Sequence, residues 1–195
     1  MSVEAEFLEK LERSGSLRYG TIYRATMKWE HVDGNKRPQL NYSEIHEVLP
    51  PDRWRTVEVT VKNNKARKIE RIGDNSTFYE RIDGGPWQMY RGGTGADIGG
   101  LPGKTNTTYK YRGAQTVAGK LTVVYEVQEE RVSDDAANGN SGMQENRVTK
   151  YWFLKDGRLL RSIQSRSVRR KPGTVRLTIM YEYEPKDLHF ELPTQ

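Results

Sequence analysis

The sequence predicts a mainly β protein: a strongly curved antiparallel sheet or half-open barrel of about ten strands, with a short N-terminal helix on its concave face. Three observations carry this expectation. Apolar and polar residues alternate in segment after segment, which is the period of a strand with one wet face. Turn-forming pairs separate those segments at short intervals: Asp33-Gly34, Asn63-Asn64, Asp83-Gly84, Asp156-Gly157 and Pro172-Gly173. Helical spacing is clear near the N-terminus, where Val3, Phe7, Leu8 and Leu11 among Glu and Lys mark Glu4 to Arg13 as amphipathic. Such a helix is about 15 Å long and has one apolar stripe, too little to cover ten strands. The sheet must close, fold over on itself, or keep an apolar cavity.

The elements follow in order. Ser14-Gly15-Ser16 is expected to stop the helix. From Leu17 the period changes to two, with Leu17, Tyr19, Tyr23, Ala25, Met27 and Trp29 on one face. A strand from there to Glu30 would be about 46 Å long, so Gly20 is expected to bend it. Leu40 to Val48, Arg53 to Lys62, Ala66 to Ile72 and Ser76 to Ile82 read as strands, with Pro50-Pro51 interrupting the ladder because neither proline can donate to it. Trp87 to Tyr90 and Thr107 to Tyr111 read as short strands, and Lys120 to Glu130 as a strong one. Ser133 to Gln144 is polar and turn-rich, as a hairpin loop would be. From Val148 the chain predicts a meander of three strands joined by Lys155-Asp156-Gly157-Arg158 and Lys171-Pro172-Gly173-Thr174, the second strand running from Leu159 to Arg170. A short closing strand is expected over Leu188 to Pro193.

The totals bound the class. A chain of 195 residues suits one domain over 1–195, and 34% hydrophobic with 30% charged residues fits a sheet with one wet face. The net charge of +6 favours anionic partners in general, or is a well-solvated basic surface and nothing more. With no cysteine there is no disulfide, thiol chemistry or Cys-based metal site. No apolar run approaches the roughly 20 residues that span a bilayer, so the chain is not expected to be transmembrane.

Catalytic signatures are lacking. His31, His46 and His189 fall in separate elements without HxH or HExxH spacing, and no GxSxG occurs. The expectation is a non-enzyme without cofactor or metal, a carboxylate-based hydrolase being the alternative. The glycine-rich run Arg91 to Asn106 lacks the phosphate-loop pattern and reads as a surface loop or as a lid at the mouth, with Ile98 and Leu101 its large apolar groups. The residues expected on the concave, ligand-binding face are Tyr19, Tyr23, Met27, Trp29, Leu121, Val123, Tyr125, Val127, Leu177, Ile179 and Tyr181; ordinary core is the other reading of each. Arg166, Arg169, Arg170 and Lys171 crowd a hairpin tip, as a docking surface would or as a guard against edge aggregation. No aromatic interleaves them, which weighs against nucleic acid.

Three stretches carry a family resemblance: Tyr79 to Trp87 (YERIDGGPW), Tyr151 to Gly157 (YWFLKDG), and the ending in YEYEP and LHFELP. Together they resemble bacterial periplasmic proteins with the lipoprotein-carrier fold, the half-open barrel shared by outer-membrane lipoprotein localisation factors and mycobacterial lipid-carrying lipoproteins. The likeness covers about the last two thirds of the chain. It implies a concave face that holds acyl chains under a helical lid, and an exported protein of the periplasm or cell envelope whose Met1 marks a trimmed start. The function expected is therefore the holding of an apolar or lipidic ligand, or a lipidated partner. Docking to a protein or an anionic membrane surface through sheet edges and the basic tip is the alternative.

Overall fold

A computed structural model describes residues 1–18, 20–32, 39–62, 65–74, 76–91, 103–133, 144–168 and 173–193. Helix α1 (Val3–Arg18) precedes eleven strands: β1 (Tyr23–Val32), β2 (Gln39–Leu49), β3 (Arg53–Lys62), β4 (Lys65–Gly73), β5 (Thr77–Ile82), β6 (Gln88–Arg91), β7 (Gly103–Val117), β8 (Lys120–Ser133), β9 (Gln144–Leu154), β10 (Leu159–Val168) and β11 (Thr174–Tyr183). All eleven form one antiparallel sheet in the order β6-β5-β4-β3-β2-β1-β11-β10-β9-β8-β7. The chain meanders outward from β1 to β6, resumes at the opposite edge as β7, and meanders back until β11 pairs with β1. The edges β6 and β7 are not paired with each other, so the barrel stays half open.

Connectivity explains the curvature. Ten interstrand spacings of about 4.8 Å would make a flat sheet about 48 Å wide. Residues 91 and 103 stand on opposite edges, and the chain between them reaches about 42 Å at most. A flat sheet is out of reach, so the sheet must curl. Bulges between Trp29 and Glu30, Tyr111 and Gly113, and Leu159 and Arg161 supply local bends.

The helix packs on the concave face over β7 to β10. Phe7 is buried with its ring centroid 5.6 Å from Tyr109, 5.9 Å from Tyr125, 5.0 Å from Tyr151 and 6.3 Å from Phe153. The Tyr125 hydroxyl donates to the Glu6 carboxylate, and burial together with that carboxylate raises the tyrosine pKa. Beside the bulge, the Leu159 N–H donates to Ser14 Oγ at 2.9 Å, while the Leu159 carbonyl accepts from the Tyr183 hydroxyl at 2.8 Å. Polar backbone groups in the core are thus satisfied by side chains. In the turn between β9 and β10, Gly157 has φ +94° and a Cβ there would sit 3.0 Å from the Arg13 side chain, so glycine permits both the turn and the helix's approach.

Several expected boundaries move. The helix does not stop at Ser14-Gly15-Ser16 but continues to Arg18, because Ser14 is fully buried against β10 and packing outweighs a modest propensity cost. It ends where Thr21 N–H bonds to the Arg18 carbonyl and Gly20 adopts φ +82°. Leu17 therefore belongs to the helix, the expected long strand begins only at Tyr23, and Gly20 ends a helix instead of bending a strand. Strand β7 is far longer than Thr107 to Tyr111, its alternation hidden by threonines and by the bulge after Tyr111. Its turn into β8 uses Ala118 and Gly119, both with positive φ, the twist a tight hairpin needs. No closing strand forms over Leu188 to Pro193; Arg24 instead holds Asp187 at 3.1 Å. The turns expected at Asp33-Gly34-Asn35 and Asn63-Asn64, and most of the two long loops, lie outside the described residues.

The convex face carries a ladder of charges across neighbouring strands. Arg24 of β1 pairs with Glu47 of β2 at 2.7 Å and with Glu182 of β11 at 3.2 Å. Arg55 of β3 lies 3.5 Å from both Glu47 and Glu70, and Arg81 of β5 pairs with Glu70 at 2.7 Å and stacks over Trp87. Glu47 and Glu70 are buried, which alone would be costly, but each is shared by two guanidinium groups. Alternating polar positions that look solvent-facing in sequence thus tie β11 and β1 to β5.

Candidate functional site

Register decides which residues share the concave face. On β1, Met27 stands opposite Ile179 of β11 on one side and Glu44 of β2 on the other; Trp29 stands between Leu177 and Tyr42. Outward from there, His46 is opposite Thr56, Thr56 opposite Arg71, Arg71 opposite Glu80, and Phe78 opposite Tyr90. The helix, about 24 Å long and roughly 10 Å across, lies over β7 to β10 and leaves this half of the face uncovered.

A cavity of about 670 Å³ opens there, lined by His46, Trp54, Thr56, Glu58, Arg71, Phe78, Glu80 and Tyr90. A second, of about 530 Å³, lies between the C-terminal end of the helix and β1–β2, lined in part by Arg18, Tyr23 and Val48. The two adjoin: the Tyr23 ring is 6.1 Å from His46, and Val48 faces Trp54 across the strand pair. Together they make a trough running from the helix end towards the β6 edge.

The wall of the trough is aromatic. Phe78 and Tyr90 stack at 5.0 Å with an interplanar angle of 12°, and Trp54 lies 6.3 Å from Phe78. Trp54 Nε1–H donates to the Asp74 carbonyl at 3.3 Å, and the Asp74 carboxylate accepts from the N–H groups of Ser76 and Thr77 at 2.8 Å, so the turn that positions the indole is itself pinned. Opposite Phe78 stands Gly73, where a Cβ would meet Phe78 Cβ at 2.7 Å. The bare backbone makes room for the two aromatic rings.

The floor is polar and densely connected. Arg71 Nε–H donates to Glu80 at 2.7 Å, and the same guanidinium pairs with Glu58. Glu44 accepts from the Tyr42 hydroxyl at 2.5 Å, and burial with that carboxylate raises the tyrosine pKa. Burial opposes the charge on Arg71, but its two carboxylates outweigh burial and raise its pKa. Burial lowers the pKa of His46 against the pull of Glu44 and Glu47, leaving a neutral imidazole at neutral pH. Thr56 is buried and its Oγ1 has no partner among the described residues. Among the described residues no group of His, Asp and Glu could hold a metal, and no helix is long and apolar enough to cross a membrane.

The expected binding residues divide. Tyr125 and Val127 are buried in the cluster beneath the helix, and Val123 packs against it; Leu121 is 67% exposed at the sheet's end. Tyr181 also meets that cluster, its hydroxyl accepting from Arg18 at 2.9 Å. Tyr23 lines the second cavity, and Met27, Trp29, Leu177 and Ile179 lie on the face between helix and trough, Trp29 being 41% exposed. Arg166 is paired with Glu145 at 2.7 Å on the concave side. Tyr19, Ile98, Leu101, Arg169, Arg170 and Lys171 lie outside the described residues. Sequence reasoning missed the trough lining from β2 to β6. Its one available signal was the row Tyr42, Glu44, His46 and Val48, where polar and apolar groups share a face and blur the alternation.

Comparison with known proteins gives structural likeness alone. No family model and no curated protein matches the chain. Among solved structures it is similar to the lipoprotein LppX of Mycobacterium tuberculosis, at 13% identity and a TM-score of 0.47, over 93% of this chain and 97% of that one. It is also similar to a domain described as an outer-membrane lipoprotein-sorting protein from Vibrio parahaemolyticus, at 11% identity and a TM-score of 0.32, over 94% and 92% of the two chains. A LolA superfamily protein of Nitrosomonas europaea is similar at 9% identity and a TM-score of 0.33, over 90% of each chain.

Proposed function

We propose that the protein is a binding protein that holds an apolar or amphipathic small molecule, of lipid character, in the trough between the helix end and β6. The observation that supports this most is the uncovered aromatic wall of Trp54, Phe78 and Tyr90 around a cavity of about 670 Å³. That volume lies within the usual range of small-molecule sites, and a wall of rings above a few placed polar groups is how such sites combine affinity with orientation. The helix does not fill this space, because its apolar side is already spent on the aromatic nest around Phe7. The resemblance of the hairpin and closing motifs implies that such a carrier works in the cell envelope.

The test uses the neutral apolar dye N-phenyl-1-naphthylamine, whose emission rises on leaving water. Saturable binding, competed by a medium-chain alcohol, is the expected result. Phe78→Ser should weaken it about tenfold or more, since a buried ring contact contributes on the order of 1.5–3 kcal/mol. Tyr111→Ser removes a ring that is 52% exposed at the other end of the sheet and should change nothing. Absence of saturable binding, or equal weakening by the two variants, would contradict the proposal.

A further inference from the structure

Resting on that reading, the geometry points to a positively charged polar group on the occupant: we propose that the trough binds a single-chain aliphatic amine in its ammonium form. The charge balance of the floor leads there. Glu44, Glu58 and Glu80 set three carboxylates against Arg71 in the floor and Arg18 at the helix end of the trough, a formal charge of −1 with His46 neutral. The chain as a whole is +6, so this patch runs against the sign of its surroundings.

Arg71 is already shared by Glu58 and Glu80 and has no charge to spare for an anion. Among the described residues Glu44 accepts from the neutral Tyr42 hydroxyl, and it stands directly opposite Glu58 on the same face, an arrangement of like charges that destabilises a strand pair. A cation seated between them would relieve that repulsion. Two further features suit an ammonium group. Trp54, Phe78 and Tyr90 offer ring faces, whose negative quadrupole attracts cations. Thr56 lines the cavity, and a χ1 rotation would turn its Oγ1, now closed off from solvent and without a partner among the described residues, toward the occupant as an acceptor.

The experiment displaces the neutral dye with three ligands of one chain length and different heads: decylamine, decanol and decanoate, all below their aggregation concentrations at neutral pH. Decylamine should compete at least tenfold better than decanol, and decanoate worse than decanol. Glu44→Gln should remove most of the preference for the amine over decanol, and Glu44→Lys should reverse the order in favour of decanoate. Retained decanol binding in both variants shows that the site is still folded. Equal competition by the three ligands, or a Glu44→Gln variant that keeps the full preference, overturns the cationic assignment while leaving the binding function standing. Failure of all three ligands removes both.

Discussion

Replacing Phe7 with alanine isolates what fastens the helix to the sheet. The ring is 3% exposed and meets four aromatic rings at 5.0–6.3 Å. Returning it to water costs about 2–3 kcal/mol of transfer free energy. Aromatic contacts contribute about 0.5–1.5 kcal/mol per well-oriented pair beyond area, and the vacated space adds to this. The neighbours belong to three different strands and cannot collapse together, so the expected loss is near the middle of the ~3–5 kcal/mol range for Phe→Ala. For a chain of this size that lowers Tm by roughly 8–16 °C. Urea unfolding followed by far-ultraviolet circular dichroism measures it. Leu8→Ala, at a position 46% exposed on the same helix, should cost about 0.5 kcal/mol or less. A loss below about 1 kcal/mol for Phe7→Ala, or equal losses for the two, would refute the claim that this ring docks the helix.

Other outcomes follow from the same structure. Glu70→Gln cuts the convex ladder between Arg55 and Arg81; because those guanidinium groups keep about a third of their exposure, the expected cost is about 1–3 kcal/mol, read from the urea midpoint. Burial opposes ionisation of Glu70, yet Arg81 and Lys68 outweigh it, and for Glu126 the bond from Arg112 outweighs burial, so both carboxyls are held below the usual value of 4.5. Each binds its proton less readily folded than unfolded, so its contribution is complete above pH 4.5 and is lost as the pH falls through the folded value. His46, lowered from 6.5 by burial, adds an earlier loss that begins as pH drops below 6.5 and that His46→Gln should remove; a urea midpoint that rises on acidification would contradict both statements. Gly73→Ala forces a Cβ against Phe78 and the Thr77 carbonyl and should cost about 1–3 kcal/mol while weakening dye binding, whereas unchanged binding would separate Gly73 from the trough.

The strands were legible where alternation is clean, as in Arg53 to Lys62, and the hairpin at Asp156-Gly157 was legible from its turn chemistry alone. The end of α1 was not, because burial of Ser14 against Leu159 is a contact 145 residues away in sequence. The division of the concave face escaped for a related reason. Tyr125 and Met27 look alike as apolar strand positions, and only the placement of the helix over β7 to β10 separates packed core from open wall. The trough lining was hidden further by its chemistry: His46, Thr56 and Arg71, with Glu44 beside them on the same face, are polar residues on an inward face, which a period of two assigns to solvent.

The central claim is that ligand occupies the open trough and not the space under the helix. Nuclear Overhauser contacts between bound N-phenyl-1-naphthylamine and the aromatic side chains test it most directly. Contacts to Trp54, Phe78 and Tyr90, with none to Tyr125 or Phe153, are the predicted result. Contacts to Tyr125 and Phe153 would mean that the ligand displaces the helix and enters the nest around Phe7, and would contradict the account.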